Sequence, residues 1–202
     1  MARSLALAVF VLAMTSLPAS AQDRGAFGIT MGYPASIGAI WHVTDRVAIR
    51  PEVSLTQLSN ATTSTVYIMG PGGTILASTT TQSTTDQWTV GVGASALFYV
   101  KQWDALRAYV TPRYQYSRAT ISASATNSGS VQVLSQPDFT SNTHFISGSF
   151  GVQYALGTRF GLYGELGLGY SHAATDTTAP GAGRSTTNTV GTRSGVGVLF
   201  YF

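Results

Sequence analysis

The stretch Gly195-Val196-Gly197-Val198-Leu199-Phe200-Tyr201-Phe202 decides the fold. Its even-numbered positions are all apolar, whereas the positions between them, read back to Arg193, include glycine and charge. Successive side chains of a β-strand point to opposite faces, so a strand with one continuously apolar face shows this period of two. The stretch therefore predicts a strand whose outer face lies against an apolar medium.

The same alternation recurs upstream in seven further segments. Their first outward apolar residues are Phe27, Ile37, Val47, Trp88, Ala108, Ile146 and Phe160. If residues 27–43 formed one strand, the count would be seven, but Pro34-Ala35-Ser36 fits a short connection and single-chain bacterial barrels have even strand numbers. The pattern predicts an all-β fold, an eight-stranded antiparallel transmembrane β-barrel.

The predicted strands are joined by connections of two lengths. Short joins fall at residues 44–46, 101–106 and 157–159, and long joins rich in Ser, Thr, Gly and Asn fall at 60–87, 119–142 and 175–189. Transmembrane barrels have short periplasmic turns and longer external loops, so the two kinds of join assign the two ends of the barrel. In the first long join, residues 66–69 and 74–76 flank Gly70-Pro71-Gly72-Gly73, which predicts a hairpin rising above the membrane.

The beginning of the sequence has the order of a secretory signal. Arg3 precedes an apolar run over residues 5–14, and Ala19-Ser20-Ala21 forms a small-residue cleavage site. The run is about half of the roughly 20 residues that a membrane-spanning helix needs. We predict a cleaved signal peptide over residues 1–21 and a barrel domain over residues 22–202. The sequence has no Cys, so neither a lipid-anchoring thiol nor disulfides are expected.

The composition is unusual for a soluble domain. Charged residues make up 9% of the chain, against about 25% in an average soluble domain. The formal net charge is +3, and the basic residues are scattered rather than clustered. Because nucleic-acid-binding proteins carry a basic patch or stripe, we expect no nucleic-acid partner.

Together, the signal, the eight alternating segments and the terminal phenylalanine make the sequence resemble the small eight-stranded outer-membrane proteins of the OmpA and OmpX type. The resemblance implies a monomer in the outer membrane of a Gram-negative-type bacterium, surrounded by outer-membrane lipid and lipopolysaccharide. It also implies delivery by periplasmic chaperones and insertion by the barrel assembly machinery, which would read an assembly signal at Val196, Val198, Phe200 and Phe202. Because the sequence stops at Phe202, we expect no peptidoglycan-binding domain of the kind that follows the barrel in the OmpA family.

The interior of an eight-stranded barrel is just wide enough to be filled by side chains. The predicted register points a set of charged residues into this lumen, with Arg107 and His42 beside them: Arg50, Glu52, Arg113, Glu165 and Arg193. Unpaired buried charge costs several kcal/mol per ion, so we favour an ion-pair network that plugs the lumen. This predicts a structural or surface-interaction role for the barrel and its Ser/Thr-rich loops. The alternative is a small channel in which the same residues form a polar gate.

An enzyme acting on lipid A is the least favoured alternative. Barrel deacylases of lipid A place His and Ser two positions apart on one strand, whereas Ser171 and His172 are adjacent, and His144 has Ile146 at that spacing. Neither arrangement brings a base within hydrogen-bond reach of a nucleophile. The near match Gly91-x-Gly93-x-x-Ala96 opens no helix, and three scattered His residues without Cys make a poor ligand set. We therefore predict no catalytic residues, no cofactor and no metal.

Overall fold

The computed structural model describes residues 25–34, 36–128, 138–177 and 183–202. The predicted signal peptide and its cleavage site lie outside the described residues. No helix in the described part of the chain is long and apolar enough to cross a membrane.

Eight antiparallel strands form a closed barrel in which each strand pairs with its neighbours in the chain and β1 pairs with β8. The strands are β1 (Phe27–Tyr33), β2 (Ser36–Thr44), β3 (Val47–Met69), β4 (Ile75–Gln102), β5 (Leu106–Ser128), β6 (Phe139–Ala155), β7 (Phe160–Thr177) and β8 (Ser185–Tyr201). The prediction of an eight-stranded antiparallel barrel is confirmed.

The first two strands settle the strand count. β1 and β2 form a hairpin whose register runs from Phe27 opposite Trp41 to Gly32 opposite Ser36. A single strand over residues 27–43 is therefore wrong. The chain reverses at Pro34, where the ring lacks the backbone N–H that a continuing ladder would use.

Burial alternates along the strands as the sequence pattern predicts. In β6, for example, Phe150 is 53% exposed on the outer face whereas Gln153 is 1% exposed in the lumen. Large apolar side chains stand exposed around the outside of the barrel. They include Met31, Ile37, Trp41, Val53, Leu55, Trp88, Val92, Leu166, Leu168 and Phe200. The barrel is thus apolar outside and filled with mostly polar and aromatic side chains inside.

One end of the barrel has only tight connections. Residues 45–46 join β2 to β3, residues 103–105 join β4 to β5, and residues 156–159 join β6 to β7. Backbone bonds between Trp103 and Leu106, with N···O distances of 2.8 and 3.2 Å, close the second of these turns. The three short joins of the sequence analysis are confirmed.

At the other end, the segments expected to be long joins are largely strand. β3 and β4 remain paired from Asn60 opposite Thr85 to Met69 opposite Ile75, so the predicted hairpin is longer than residues 66–76. β5 continues alongside β4 to Ser128, β6 begins at Phe139, and β8 begins at Ser185. The expectation of loops at 119–142 and 175–189 is wrong for the parts that pair. Thr has high β-propensity, and residues 119–126 alternate Ala or Ile with Ser or Thr, a period of two that the expectation of loops did not use.

We call this extension the arm: residues 56–69 of β3, 75–88 of β4 and 119–128 of β5. From Leu55 to Met69 it extends roughly 45 Å along the strand at about 3.3 Å per residue. At its tip, Gly72 and Gly73 take positive φ angles of 82° and 79°, which side chains other than glycine rarely adopt. The arm is a regular sheet projecting from the barrel, rather than a coil.

Candidate functional site: the lumen

A layer of hydrogen-bonded aromatic residues closes the lumen at the end with short turns. Tyr201 Oη lies 3.1 Å from His42 Nε2 and accepts a 2.8 Å hydrogen bond from Gln153 Nε2. Gln153 Oε1 in turn accepts a 2.9 Å bond from Tyr99 Oη. The His42 and Tyr99 rings stack with centroids 5.5 Å apart. These side chains fill the cross-section between β2, β4, β6 and β8.

Glycines make room for the large lumen rings. Tyr109, 0% exposed, lies directly across from Gly151, and a Cβ at Gly151 would overlap the tyrosine ring. The same relation holds for Tyr163 and Gly197 on β7 and β8. Each ring thus lies over the neighbouring strand and fills space that a side chain there would otherwise occupy. Ring packing thus requires glycine at these two inward positions.

Above the aromatic layer, Glu165 binds two arginines. Arg50 Nη2 donates to Glu165 Oε1 over 2.6 Å, and Arg193 Nη1 donates to Glu165 Oε2 over 3.2 Å. Tyr109 Oη also donates to Glu165 Oε1, over 3.0 Å. The Glu165 side chain is 1% exposed, so this carboxylate has exchanged water for fixed donors. Charge-assisted hydrogen bonds of this kind are the strong ones in proteins.

Glu52 holds the second half of the cluster. Arg113 Nη2 lies 2.7 Å from Glu52 Oε2, and Arg50 Nε lies 3.7 Å from Glu52 Oε1. Arg50 therefore links both carboxylates, and it also donates to Ser95 Oγ over 3.2 Å. The Arg50 guanidinium lies over the Tyr163 ring, 4.9 Å from its centroid. Strands β3, β5, β7 and β8 thus meet across the lumen in one cluster.

The structure brings together all five charged residues singled out in the sequence as a lumen network. Arg107, also inward, lies over the Tyr99 ring, 5.6 Å from its centroid. The cluster of five contains three guanidinium groups and two carboxylates, an excess of one positive charge. Two of its buried donors, Arg50 Nη1 and Arg113 Nε, have no hydrogen-bond partner among the described protein atoms.

The aromatic and amide residues of the lumen were placed inward by the sequence, but their roles were missed. Tyr109, Tyr163 and Gln153 occupy alternate positions of their strands, which identifies the face and nothing more. Their partners lie on other strands; Tyr109 and Glu165, for example, are 56 residues apart. Only the stagger of the closed barrel determines which of these side chains lie at the same height.

The candidate catalytic pairs are separated. His144 Nδ1 lies 2.8 Å from Tyr114 Oη on the outer face, whereas Ser147 is buried in the lumen. His172 Nδ1 lies 2.7 Å from Asn188 Oδ1, with Ser171 on the opposite face of β7. No group of three or more His, Cys, Asp or Glu in the described ranges is placed to hold a metal ion.

The last strand lies at the seam of the barrel. Phe200 pairs with Ile29 of β1 on one side and with Phe160 of β7 on the other. Phe202 packs against Phe27 and Phe200, with ring centroids 6.3 and 5.3 Å apart. Val196, Phe200 and Phe202 are exposed on the outer face at 60%, 44% and 70%, with Val198 between them on the same face. The strand whose alternation decides the fold, β8, therefore pairs with β1 to close the barrel.

Fold and site define an eight-stranded antiparallel β-barrel with a lumen closed by side chains. No family model matches the sequence, and no curated protein matches it. Among solved structures, the chain is similar to CarO of Acinetobacter baumannii at 12% identity and a TM-score of 0.40, over 91% of this chain and 100% of that one. It is also similar to CarO2 of Acinetobacter baumannii at 11% identity and a TM-score of 0.39, over 88% and 97% of the two chains. The assignment of the barrel rests on the strand pairing itself.

Proposed function

We propose that this chain is an outer-membrane β-barrel protein of the OmpA/OmpX type with a structural or surface-interaction role, in which a plugged barrel anchors the arm outside the cell. It is a monomer and not an enzyme. Periplasmic chaperones and the barrel assembly machinery deliver it into outer-membrane lipid and lipopolysaccharide. The observation that carries the proposal is the contrast between a lumen crossed by buried ion pairs and an arm with an exposed apolar tip.

The outer face supports the membrane placement. On β7, exposed apolar side chains recur from Leu162 to Tyr170, and the strand from Phe160 to Tyr170 covers about 25 Å of height at about 3.3 Å per residue and a tilt of about 40°. That height equals the apolar band of outer-membrane barrels, about 25 Å. Outward charged residues lie beyond the two ends of this band. They are Asp45, Arg46, Lys101, Asp104 and Arg159 at the tight turns, and Asp86 and Arg118 at the opposite end.

The arm supports the surface-interaction role. Its β3–β4 hairpin contains no charged residue between Leu55 and Thr85. Six apolar side chains at the tip are 55–66% exposed: Val66, Tyr67, Ile68, Met69, Ile75 and Leu76. Monomeric soluble proteins rarely leave such a contiguous patch in water, and exposed patches mark interaction sites. The tip therefore fits an apolar surface on another molecule or cell.

Two measurements test the membrane placement and the closed lumen. The protein should fractionate with outer membranes and run faster on a gel unheated than boiled, because a closed barrel resists detergent unfolding. In planar bilayers it should show no steady conductance. Recovery from the soluble periplasm contradicts the membrane placement, whereas steady conductance favours the small channel, the alternative function.

The role of the arm is tested on whole cells. Replacing Tyr67, Ile68 and Met69 with Ser should strongly reduce adhesion of producing cells to an apolar surface such as polystyrene. The matched control replaces Thr62, Thr63 and Thr65, in the shaft of the same hairpin, with Ser. Equal adhesion of both variants and the parent, at equal surface levels, would count against the proposal.

The assembly signal is tested separately. Replacing Phe200 and Phe202 with Ser should lower the amount inserted into the outer membrane and increase degradation, because the apolar face that the assembly machinery reads is lost. Replacing Leu166 and Leu168, equally lipid-facing on β7 at 65% and 64% exposure, controls for the loss of apolar area. If both pairs of substitutions lower the level equally, β8 carries no specific signal.

A further inference from the structure

The barrel wall has a notch above the β1–β2 hairpin. β1 pairs with β8 only as far as Tyr33 opposite Val196, and β2 pairs with β3 only as far as Ile37 opposite Val53. Beyond these pairs β8 and β3 continue, each with a partner on its other side, and no other described strand lies between them. With strands about 4.8 Å apart, three strand spacings leave an opening about 14 Å wide.

The notch lies at the height of the apolar band, given the membrane placement proposed above. β1, with 7 residues, covers only about 15 Å of the roughly 25 Å band at about 3.3 Å per residue and a tilt of about 40°. On β8, the edge residues Thr192 and Ser194 lie opposite Leu168 and Leu166, both exposed to the membrane. The opening therefore faces the outer leaflet rather than the space above it.

A cavity of about 540 Å³ lies at the foot of the notch. Its lining combines outward residues, Met31, Ile37, Val53 and Leu55, with the lumen-facing residues Gly32 and Ser54. Gly32 and Ser54 lie where the pairing of β1 with β8 and of β2 with β3 ends, so the cavity borders the opening in the wall. Its volume is within the roughly 300–1,000 Å³ of small-molecule sites.

Two short routes connect the cavity to the arginines of the lumen. Ser54 Oγ accepts a 3.4 Å bond from Gln115 Nε2, and Gln115 Oε1 accepts a 3.3 Å bond from Arg113 Nη2. On the other side, Gly32 lies against the hydroxyl of Tyr163, and the Arg50 guanidinium lies over the ring of this tyrosine. Arg113 is 9% exposed, and its Nε has no partner among the described protein atoms. The polar end of the cavity is thus two hydrogen bonds away from a cluster with an excess of one positive charge.

We propose that the notch binds one single-chain amphiphile with a carboxylate headgroup, a long-chain fatty acid in chemical class. The acyl chain lies in the cavity against Ile37, Val53 and Leu55, where it continues the apolar environment of the leaflet. The carboxylate lies on the lumen side, near Ser54 and Gln115, where it offsets the charge of Arg113 and Arg50. An apolar site with a few polar groups that orient the ligand is the usual composition of a small-molecule pocket.

Spin-labelled stearate in phosphatidylcholine bilayers containing the refolded protein tests this inference. We expect a saturable, strongly immobilised component at about one label per barrel, in addition to ordinary boundary lipid. Val53→Trp should weaken it about tenfold by filling the cavity, a change that a single apolar contact set can supply. Val92→Trp is the matched control, because Val92 is the cross-strand partner of Val53, is similarly exposed at 53% against 57%, and does not line the cavity.

The headgroup is tested with the methyl ester of the same label and with Arg113→Gln. The parent should bind the acid more tightly than the ester, and the Arg113→Gln protein should lose that preference. A faster unheated gel band shows that the Arg113→Gln barrel is folded. Equal immobilisation of acid and ester in the parent overturns the fatty-acid site. Equal immobilisation of the acid in Val53→Trp and Val92→Trp overturns it as well. A second copy of the chain could instead pair with the free edges of β3 and β8. Light scattering that shows a dimer, together with exclusion of the label, overturns the fatty-acid site in favour of that second copy. Failure of the protein to insert overturns the membrane placement itself.

Discussion

The two ends of β3 show how differently one strand can be stabilised. Near the tight turns, Arg50 and Glu52 face a closed lumen and Ile49 and Val53 face outward. At the far end, Val66, Tyr67, Ile68 and Met69 are all more than half exposed, whichever face they occupy. The backbone pairing with β4 extends across both, with one register shift between Ile68 and Met69. Burial and ion pairing therefore stabilise the barrel, whereas ladder hydrogen bonds and β-propensity alone hold the arm.

The largest effect that this comparison predicts comes from the lumen network. Glu165→Gln removes the charge that Arg50 and Arg193 share and should lower the free energy of unfolding by about 3–5 kcal/mol, the cost of breaking a buried pair. The temperature at which the fast-running band of the folded barrel disappears from the gel measures this loss of stability. Asp176→Asn is the control, since its pair with Arg184 spans 3.7 Å with both side chains more than half exposed, and exposed pairs contribute about 0–1 kcal/mol.

A hydrated channel would respond differently to the same substitution. Its walls do not depend on ion pairing, so Glu165→Gln would change conductance or ion preference and leave the melting temperature unchanged. Observing that combination, in a parent that already conducts, would reverse the interpretation of the cluster as a plug.

A smaller effect should come from the ring packing in the lumen. Gly151→Ala places a methyl group where the Tyr109 ring lies, and overpacking of this kind costs about 1–3 kcal/mol. Gly148→Ala on the same strand meets no atom within 4 Å and serves as control. Denaturant unfolding of both variants in micelles should show a lowered midpoint for Gly151→Ala alone. Equal midpoints would mean that the tyrosine has room to move aside.

The smallest effect should follow removal of residues 60–85, which form most of the hairpin part of the arm. Joining Ser59 to Asp86 through Asn-Gly, which suits a two-residue hairpin turn, should change the stability of the barrel by less than about 1 kcal/mol, because the arm buries little apolar surface. Hydrogen exchange on the full-length protein should agree, with faster exchange in residues 60–85 than in the barrel half of β4. A truncated barrel that melts far below the parent would show that the arm supports the barrel.

The sequence predicts the barrel better than it predicts the arm. In the barrel half, a period of two with one apolar face assigns each side chain to the lumen or the outer face, so Arg50, Glu52 and Glu165 could be placed together. In the arm, residues 119–126 alternate Ala or Ile with Ser or Thr, but these side chains are too small and too weakly apolar to stand out from the surrounding Ser/Thr-rich sequence, so the strand was missed. The pairing of Gln153 with Tyr99 and Tyr201 depends on barrel stagger, which the sequence of any one strand does not contain.

The position of Arg50 has a consequence for the order of assembly. Its bond to Glu165 joins residues 115 positions apart, on strands that come face to face only when the sheet has closed. In an open intermediate each charge has only its near partner, Glu52 for Arg50 and Arg193 for Glu165, and the shortest ion pair of the cluster is missing. Contacts of such long sequence separation form late in folding. The bond between Arg50 and Glu165 therefore favours the closed ring over partially closed sheets, and this part of the stabilisation is gained late.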